Sequence, residues 1–147
     1  MATHSEVALT ELSDDECRRL LTEHHVGRLA VVVGGQPVIF PINYVFDGER
    51  VVFRTDEGLK LRHAPLRRVA FEIDGFDEAE GTGWSVLVQG STYEITRAID
   101  DYSEALRRLP LAPFAPGEKA HWIEIVPIEI TGRRIEPTDT GDRSTAG

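Results

Sequence analysis

The sequence predicts a mainly β protein with α-helix, in which about six antiparallel strands form a barrel flanked by helices. Three observations support this fold class. Most candidate strands follow one another directly along the chain, several are separated by short glycine-bearing turns, and only two segments have a clear helical period. Strands that are adjacent in sequence favour an antiparallel barrel over a parallel α/β sheet, because parallel strands need long crossover connections.

The first predicted element is a helix that begins after Ser13 and ends near His24. Ser13-Asp-Asp-Glu16 has the pattern of a capping box, in which the serine hydroxyl accepts from an amide of the first turn and the glutamate bonds back to the cap. Leu12 and Cys17 occupy the two positions of a hydrophobic staple. These local signals fix the start of the helix without any knowledge of the rest of the fold.

Two β-hairpins are predicted next, and together they form a meander. Gly34-Gly35 marks the first turn and Asp47-Gly48 marks the second. Apolar residues alternate between the turns, and the prolines at 37 and 41 fall on the opposite face, which is typical of an edge strand or a bulge. The strands of the meander are predicted at residues 28–33, 36–46 and 51–55.

The second half of the chain is predicted to contain three longer strands and a second helix. Asp100 begins this helix and Pro110 ends it, while Gly90 marks a bend within the longest strand. The strands are predicted at residues 69–76, 84–96 and 121–131, and short helical turns at residues 59–66.

A single domain is predicted from residue 9 to residue 135, because the chain has no internal repeat and no linker. Residues 1–8 have no clear period and are expected to be flexible. Residues 136–147 are polar and are expected to form a disordered tail.

The composition excludes several functional classes without naming one. The net charge of −9 at pH 7 disfavours nucleic acid as a partner. No apolar run approaches the roughly 20 residues that cross a bilayer, and the first residues lack the pattern of a signal peptide. With one cysteine, Cys17, and five histidines without zinc-site spacing, no disulfide or metal centre is expected. We therefore expect a cytoplasmic protein that binds neither a membrane nor nucleic acid.

The end of the third predicted strand carries the clearest candidate binding chemistry. Arg54 and Thr55 end the strand, Gly58 lies in the following turn, and Lys60 comes two residues later. A phosphate group needs positive charge, hydroxyl or amide donors and close approach of the backbone, and these residues offer all three. On spacing alone, a solvated turn whose cations offset the neighbouring acidic residues explains the pattern better.

Three further segments contain candidate binding residues, although the residues alone favour a structural explanation for each. Pro41-Ile-Asn-Tyr44 could present Asn43 and an aromatic face to a flat heterocycle, or could form a strand bulge with core aromatics. Trp84 and Trp122 each begin a strand after a loop, and could pack in the core, cover a ligand or anchor a subunit interface. Signatures of hydrolases, phosphate-binding loops and dinucleotide-binding folds are missing, so no catalytic residue is assigned.

Taken in order, these segments resemble the FMN-binding split-barrel superfamily. The most similar branch is that of small pyridoxamine-5'-phosphate-oxidase-like proteins related to nitroimidazole-resistance flavoproteins. The resemblance covers about residues 9 to 135. It rests on the order and spacing of Gly27-Arg28-Leu-Ala, Pro41-Ile-Asn-Tyr44, Phe53-Arg-Thr-x-x-Gly-x-Lys60, Trp84-Ser-Val-Leu-Val-Gln-Gly90 and Trp122-Ile-Glu-Ile-Val-Pro-x-x-Ile-Thr-Gly132-Arg-Arg.

The resemblance implies a six-stranded split barrel that forms a homodimer with FMN at the subunit interface. It implies that the flavin phosphate is held at one strand end, that a neighbouring strand lies beside the isoalloxazine ring, and that the partner subunit can supply the tryptophans. The residues implied for the phosphate are Arg28, Arg54, Thr55, Lys60 and the adjoining Leu61; those for the ring and interface are Pro41, Ile42, Asn43, Tyr44, Trp84 and Trp122.

The function implied is an FMN-dependent oxidoreductase acting on a small molecule. The C-terminal arginine and histidine that hold the substrate phosphate in true pyridoxamine-phosphate oxidases are not recognisable after Ile130-Thr-Gly-Arg-Arg, so that reaction is not expected. The alternatives are a non-catalytic flavin-binding module for storage or sensing, and a reductase that uses a deazaflavin coenzyme. Some relatives bind haem, which the sequence leaves open as a cofactor.

Overall fold

A computed structural model of the 147-residue chain describes residues 6–55, 67–111 and 121–138. Within these three ranges the chain forms eight β-strands and two α-helices. In chain order they are β1 Val7–Glu11, α1 Asp14–Glu23, β2 Val26–Val33, β3 Gln36–Asn43, β4 Val45–Phe46, β5 Val51–Thr55, β6 Arg67–Asp77, β7 Thr82–Glu94, α2 Asp101–Arg107 and β8 His121–Pro137.

The strands form one antiparallel sheet that curls into a barrel. Their order is β3-β2-β6-β7-β8-β5-β4, and β1 pairs with the far end of β8. The strands at the two ends of this order, β3 and β4, belong to one run of chain that is interrupted only at Tyr44. Because this run pairs with β2 through β3 and with β5 through β4, it joins both edges of the sheet. The predicted class, an antiparallel split barrel with flanking helices, is confirmed.

The prolines of β3 lie where a sheet tolerates them. Pro37 stands opposite Val32, and Pro41 stands opposite Arg28, in the ladder that joins β3 to β2. β3 is the terminal strand of the described order, so neither proline has to donate an N–H to a second neighbour. The edge position that the two prolines predicted is confirmed.

Two glycine signals in the sequence also correspond to real features of the sheet. Gly34 and Gly35 join β2 to β3 with φ of +56° and +79°, a left-handed conformation that glycine adopts without steric cost. The register between β7 and β8 shifts between Gln89 and Gly90, and a Cβ at position 90 would collide with the carbonyl oxygen of Val126. The bend predicted at Gly90 is therefore a β-bulge in this ladder.

Helix α1 begins and ends as predicted. The Ser13 hydroxyl accepts a hydrogen bond from the Glu16 amide at 3.1 Å, and the Ser13 amide donates to the Glu16 carboxylate at 3.3 Å. His24 caps the C-terminus. The apolar face of α1 buries Cys17 and the two leucines that follow it. Asp100 caps α2, as the sequence predicted.

Among the described residues, the buried apolar side chains form two clusters. The larger cluster fills the barrel and includes the fully buried Tyr44, Phe53 and Phe71. A smaller cluster lies outside the barrel wall, where Val52 and the partly buried Trp122 pack under α2. As a result β5 and the start of β8 are covered on both faces, and their side chains alternate between the two clusters.

The outer limits of the folded region differ from the prediction. Residues 7 and 8, expected to be flexible, belong to β1, and β8 continues beyond residue 135 to Pro137, because these two segments pair with each other. The strand number is eight rather than six, since β1 was not predicted and residues 36–46 divide into β3 and β4. The helical turns predicted at 59–66 lie outside the described residues. Neither described helix is long or apolar enough to span a membrane.

Candidate functional site

Two of the predicted binding segments lie side by side where the barrel closes. Val45 pairs with Val52, and the same register continued by two residues brings Asn43 level with Arg54. β3 and β5 contact each other in this region. The end of β3 and the end of β5 therefore form adjoining parts of one wall, although they are eleven residues apart in sequence.

Asn43 presents a buried acceptor in this wall. Its side-chain nitrogen donates a long hydrogen bond of 3.4 Å to the carbonyl oxygen of His25. Its side-chain oxygen is buried, and no donor in the described part of the chain reaches it. A buried carbonyl oxygen without a donor costs about 1–3 kcal/mol, so a ligand that carries an N–H at this point would be stabilised.

The neighbouring side chains of Tyr44 and Ile42 serve the core instead. Tyr44 is fully buried, its hydroxyl donates to the carbonyl oxygen of Leu21 at 2.7 Å, and its ring meets the Phe71 ring edge-on at 4.8 Å. Burial raises the pKa of the Tyr44 phenol. Ile42 is partly buried against the same cluster. A ligand at this wall can reach the backbone of Tyr44 but not its ring, which is the core-aromatic alternative that the sequence left open.

Arg54 is held on the outer face of the wall by Trp122. The two residues are opposite each other in the β5–β8 ladder, and the guanidinium carbon lies 5.0 Å from the centre of the indole ring. A cation over the face of a tryptophan is stabilised by about 0.5–1 kcal/mol or more. Trp122 thus positions the cation that the family resemblance implies for the phosphate. No local motif in the sequence indicates this contact between Arg54 and Trp122.

Thr55 ends the wall beside a polar pair that sequence reasoning missed. Thr55 is 8% exposed and stands opposite His121 in the ladder. The His121 ring nitrogen Nδ1 lies 2.8 Å from a carboxylate oxygen of Glu94 on β7. Neither residue belongs to a recognisable motif, because the three residues come together only through the pairing of β5, β8 and β7.

Arg28 faces solvent on a different part of the sheet, between two carboxylates. Its guanidinium lies 3.2 Å from Glu72 and 3.2 Å from Asp74, and its side chain is 54% exposed. Burial, with the neighbouring Asp74 carboxylate, raises the pKa of Glu72 to about 7, although Arg28 acts in the opposite direction. The two carboxylates were not among the predicted site residues.

Trp84 lines an open cleft of about 590 Å³ at the far end of β7. Its ring lies 4.8 Å from the ring of His24, and it packs over Gly75 on the neighbouring strand. Arg134 stands opposite Trp84 in the ladder and also lines the cleft. The cleft thus combines an aromatic wall with charged residues at its rim.

The two tryptophans are too far apart to line one site within a single chain. Trp84 pairs with Arg134, whereas the stretch of β7 beside Trp122 lies ten residues further along the strand, where Glu94 pairs with Ile123. At about 3.3 Å per residue this separation is roughly 30 Å. Lys60 and Leu61, the remaining predicted site residues, lie outside the described residues.

Comparison with known proteins identifies the family. The family model described as pyridoxamine 5'-phosphate oxidase matches residues 13–134. The FAD binding protein of Mycobacterium smegmatis is 38% identical, with a TM-score of 0.71 over 88% of this chain and 99% of that one. The uncharacterised protein Rv0080 of Mycobacterium tuberculosis is 32% identical over 86% of each chain.

A more distant structure shows the fold alone. A nitroimidazole-resistance-like protein of Bacteroides thetaiotaomicron is 10% identical and has a TM-score of 0.56, over 92% of this chain and 95% of that one. The family match extends from the cap of α1 almost to the end of β8, and so includes every predicted site residue. On this match and on the identity to its relatives, the chain belongs to the pyridoxamine 5'-phosphate oxidase family.

Proposed function

We propose that this protein is a flavoprotein that binds FMN between two copies of the chain and acts as an oxidoreductase on a small molecule. The observation that carries the proposal is the buried oxygen of Asn43, which lacks a donor among the described residues. The polar edge of an isoalloxazine ring carries one N–H between two carbonyl groups, and this N–H is the donor that the oxygen lacks. A flavin therefore suits the donor and acceptor set of this wall.

Different residues of the chain would hold the two ends of the cofactor, the ring and the phosphate. Asn43 and the exposed Pro41 would face the ring, while Arg54 and Thr55 would hold the phosphate with a charge-assisted and a neutral hydrogen bond. Trp122 keeps the Arg54 guanidinium in place and covers it from one side, which limits its hydration. A bound flavin supplies the transfer of a hydride or of single electrons, and the protein orients it and tunes its potential.

Flavin chemistry is supported by the relatives, but the choice between FMN and FAD is not. The relative with 38% identity is described as FAD-binding. Both cofactors share the ring, the ribityl chain and the first phosphate, which are the parts that the wall addresses. We propose FMN because the ring, the ribityl chain and the first phosphate, which are the parts that this wall addresses, together make up FMN.

The nature of the cofactor is tested by the absorption spectrum of the purified protein and by chromatography of the released compound. FMN, FAD, a deazaflavin and haem are separated by these two measurements. FMN in about one copy per chain supports the proposal, and FAD would correct it to the larger flavin. Haem, a deazaflavin or a protein that cannot be loaded with flavin would contradict it. Bleaching of the bound flavin by NADH or NADPH would then separate an oxidoreductase from a flavin store.

The phosphate assignment is tested by the substitution Lys60→Ala. The resemblance matches Lys60 to the flavin phosphate, and a charge-assisted contact of this type contributes about 1.5–3 kcal/mol. The dissociation constant of FMN should therefore rise roughly tenfold to a hundredfold. Riboflavin has the same ring and no phosphate, so its dissociation constant should change little.

Arg19→Ala is the control for the loss of one positive charge, because Arg19 is an exposed residue of α1 paired with Glu23. It should leave both dissociation constants unchanged in fluorescence-quenching titrations. Equal, small changes for FMN and riboflavin in Lys60→Ala would contradict the assignment of Lys60 to the phosphate.

A further inference from the structure

We propose that the cleft beside Trp84 is a second ligand site of this protein, which binds a small organic cation that carries a flat ring. The cleft has a volume of about 590 Å³, which is in the range of small-molecule sites. Within one chain it lies at the opposite end of the β7–β8 ladder from Trp122 and Arg54, so the inference does not depend on the proposed flavin site. Of the side chains that line the cleft, the family resemblance assigned a role only to Trp84.

Strand pairing places the polar side chains of the cleft in two rows on one face of the sheet. Trp84 and Arg134 are directly opposite each other, and two positions further along Asp77 and Thr82 are directly opposite each other. Glu136 follows Arg134 by two positions on β8, so its side chain projects from the same face. The two carboxylates, Asp77 and Glu136, therefore lie on the strands to either side of Thr82, next to the tryptophan.

The indole of Trp84 is held in place as one wall of the cleft. It lies over Gly75 on the adjacent strand, where a Cβ would come within 2.6 Å of the indole nitrogen Nε1. The ring of His24 lies 4.8 Å from it, and Nδ1 of His24 lies 2.8 Å from the carbonyl oxygen of Leu20. Tryptophan is the aromatic side chain that attracts cations most strongly, and an indole that is already fixed loses little freedom when a ligand binds.

The carboxylates give the cleft an excess of negative charge. Asp77 accepts a hydrogen bond from the Glu80 amide at 3.1 Å, but neither Asp77 nor Glu136 forms an ion pair among the residues that the structure describes. Arg134 is a cation at the rim, and its charge is offset by the Glu16 carboxylate, 3.9 Å from the guanidinium. A cleft lined by one sign of charge concentrates ligands of the opposite sign, and the net charge of −9 acts in the same direction. The ligand that suits this site is therefore a cation.

The test uses three probes that share a phenyl ring and differ in charge: benzamidine is a cation, benzamide is neutral and benzoate is an anion. Calorimetric titration of the full-length protein should give a dissociation constant for benzamidine roughly tenfold below that for benzamide. Benzoate should bind more weakly than benzamide, because the carboxylates repel it. Equal constants for benzamidine and benzamide, or no binding of benzamidine, would overturn the inference.

Glu136→Gln and Asp77→Asn separate the charge of the cleft from its shape. Each substitution keeps the size of the side chain and an oxygen that accepts hydrogen bonds. Each should reduce the preference for benzamidine over benzamide from roughly tenfold to roughly threefold. Asp101→Asn is the matched control, because Asp101 is an exposed acid of α2, which packs near Trp122 at the other end of the ladder. A preference that the control reduces as much as the two cleft variants, or that neither cleft variant reduces, would place the bound probe elsewhere and overturn the inference.

Tryptophan fluorescence tests whether the bound probe lies against the indole. The chain has two tryptophans, so in Trp122→Phe the emission comes from Trp84 alone. Benzamidine should quench this emission with the same dissociation constant that calorimetry gives. Unchanged emission at saturating benzamidine would show that the probe binds away from Trp84, which contradicts the assignment.

FMN separates this inference from the proposed function. Saturating FMN should change the dissociation constant of benzamidine by less than about twofold, because the two ligands occupy different sites. Competition between them would show that the cleft is part of the flavin site and would overturn the claim of a second site. Benzamidine binding by a protein that cannot be loaded with flavin would support this inference and contradict the proposed function.

Discussion

At the scale of single residues, the cluster of Arg28, Glu72 and Asp74 shows how strand pairing creates electrostatics that no local motif contains. Arg28 and Glu72 are opposite each other in the β2–β6 ladder, and Asp74 follows on the same face of β6. Two carboxylates share one guanidinium here, so the cluster keeps an excess negative charge when both are ionised. Partial burial makes that charge costly.

We predict that Glu72→Gln stabilises the protein at pH 8 and has little effect at pH 5. The pKa of Glu72 is raised from 4.5 to about 7 in the folded state, so folding favours the protonated form. The resulting stabilisation is fully present below the unfolded pKa of 4.5 and is lost as the pH rises through 7. Since the Glu72 side chain is 33% exposed, solvent screening reduces the effect to about 1 kcal/mol at pH 8.

Thermal unfolding at the two pH values measures this effect. The variant should have a melting temperature about 2–4 °C above that of wild type at pH 8. Glu80→Gln, which changes an exposed acid in the turn between β6 and β7, is the control and should show no such pH-dependent difference. A variant that is less stable than wild type at pH 8 would show that the ion pair with Arg28 outweighs the repulsion from Asp74.

Single residues were predictable from the sequence only where their chemistry is local. Arg54 and Thr55 became candidates because a cation and a hydroxyl end a strand before a glycine turn, and their role in binding stays a prediction. Glu94 and His121 are 27 residues apart and have no shared motif, so their contact could not be inferred before the strand order was known. Tyr44 could be assigned to a ligand or to the core from its spacing, and only the barrel closure decides that its ring is buried.

At the scale of elements, the contact between α1 and β8 depends on a glycine. Gly132 lies beneath the start of α1, and its carbonyl oxygen accepts from the Leu12 amide at 2.9 Å. A Cβ at position 132 would lie 2.6 Å from the Cys17 sulfur and 3.0 Å from a Leu12 methyl carbon. Leu12 and Cys17, the predicted staple pair, thus both reach the same point on β8.

We predict that Gly132→Ala destabilises the protein by about 1–3 kcal/mol, because the new methyl group overpacks a site where Cys17 is 1% exposed. Cys17→Ala removes the sulfur that the methyl group would strike. In that background the cost of Gly132→Ala should fall by about half or more. Urea denaturation midpoints of the wild type, both single variants and the double variant give the coupling, and additive costs would contradict the packing argument.

Helices and strands were predicted well where the local sequence specifies them. They were predicted poorly where only pairing with a distant strand specifies them. The capping box predicted the start of α1, and the two prolines predicted the edge position of β3. Each of these signals lies within a few residues of the sequence. β1 has no such signal, because Val7 and Leu9 are each 60% exposed and the strand is held by its ladder with β8. The extra length of β8 has the same cause, since its last residues are the partners of β1.

At the scale of the whole molecule, one face of the sheet leaves apolar side chains uncovered. Val32, Ile39 and Ile128 are 57%, 68% and 59% exposed. Val32 and Ile128 line a concave region of about 530 Å³ that crosses from β3 over β2, β6 and β7 to β8. Ile39 stands opposite Ala30, which also lines this region. Charged residues of both signs, including Arg68 and Glu129, line the same region. A surface that is apolar and carries both charges can pack against a second copy of itself.

The prediction of a dimer rests on two separate observations, one from the sequence and one from the fold. The resemblance implied a homodimer before any surface was known. The fold adds that Trp84 of β7 and Trp122 of β8 lie at opposite ends of the ladder between these two strands, so both can contribute to one flavin site only if they come from different chains. The face through which two subunits would pack depends on which side chains are exposed together. Strand pairing determines this, and no pattern along the sequence indicates it.

We therefore predict that the protein is a dimer and that Ile39→Glu converts it into a monomer. The glutamate would place a charge at the apolar face of each copy, and desolvating two such charges at a symmetric interface costs several kcal/mol. Ile39 lies on an exposed edge strand, where a charged side chain is well tolerated, so the monomer should remain folded. Light scattering should give about twice 16.4 kDa for wild type and about 16.4 kDa for the variant.

Ile99→Glu is the matched control for this experiment, because Ile99 is 89% exposed beside α2 and away from the apolar face. It should remain dimeric and bind FMN as wild type does. If the flavin site is shared between subunits, Ile39→Glu should lose FMN binding together with the dimer. A variant that stays dimeric would place the interface elsewhere, whereas a wild-type monomer that binds FMN tightly would show that one barrel completes the site alone.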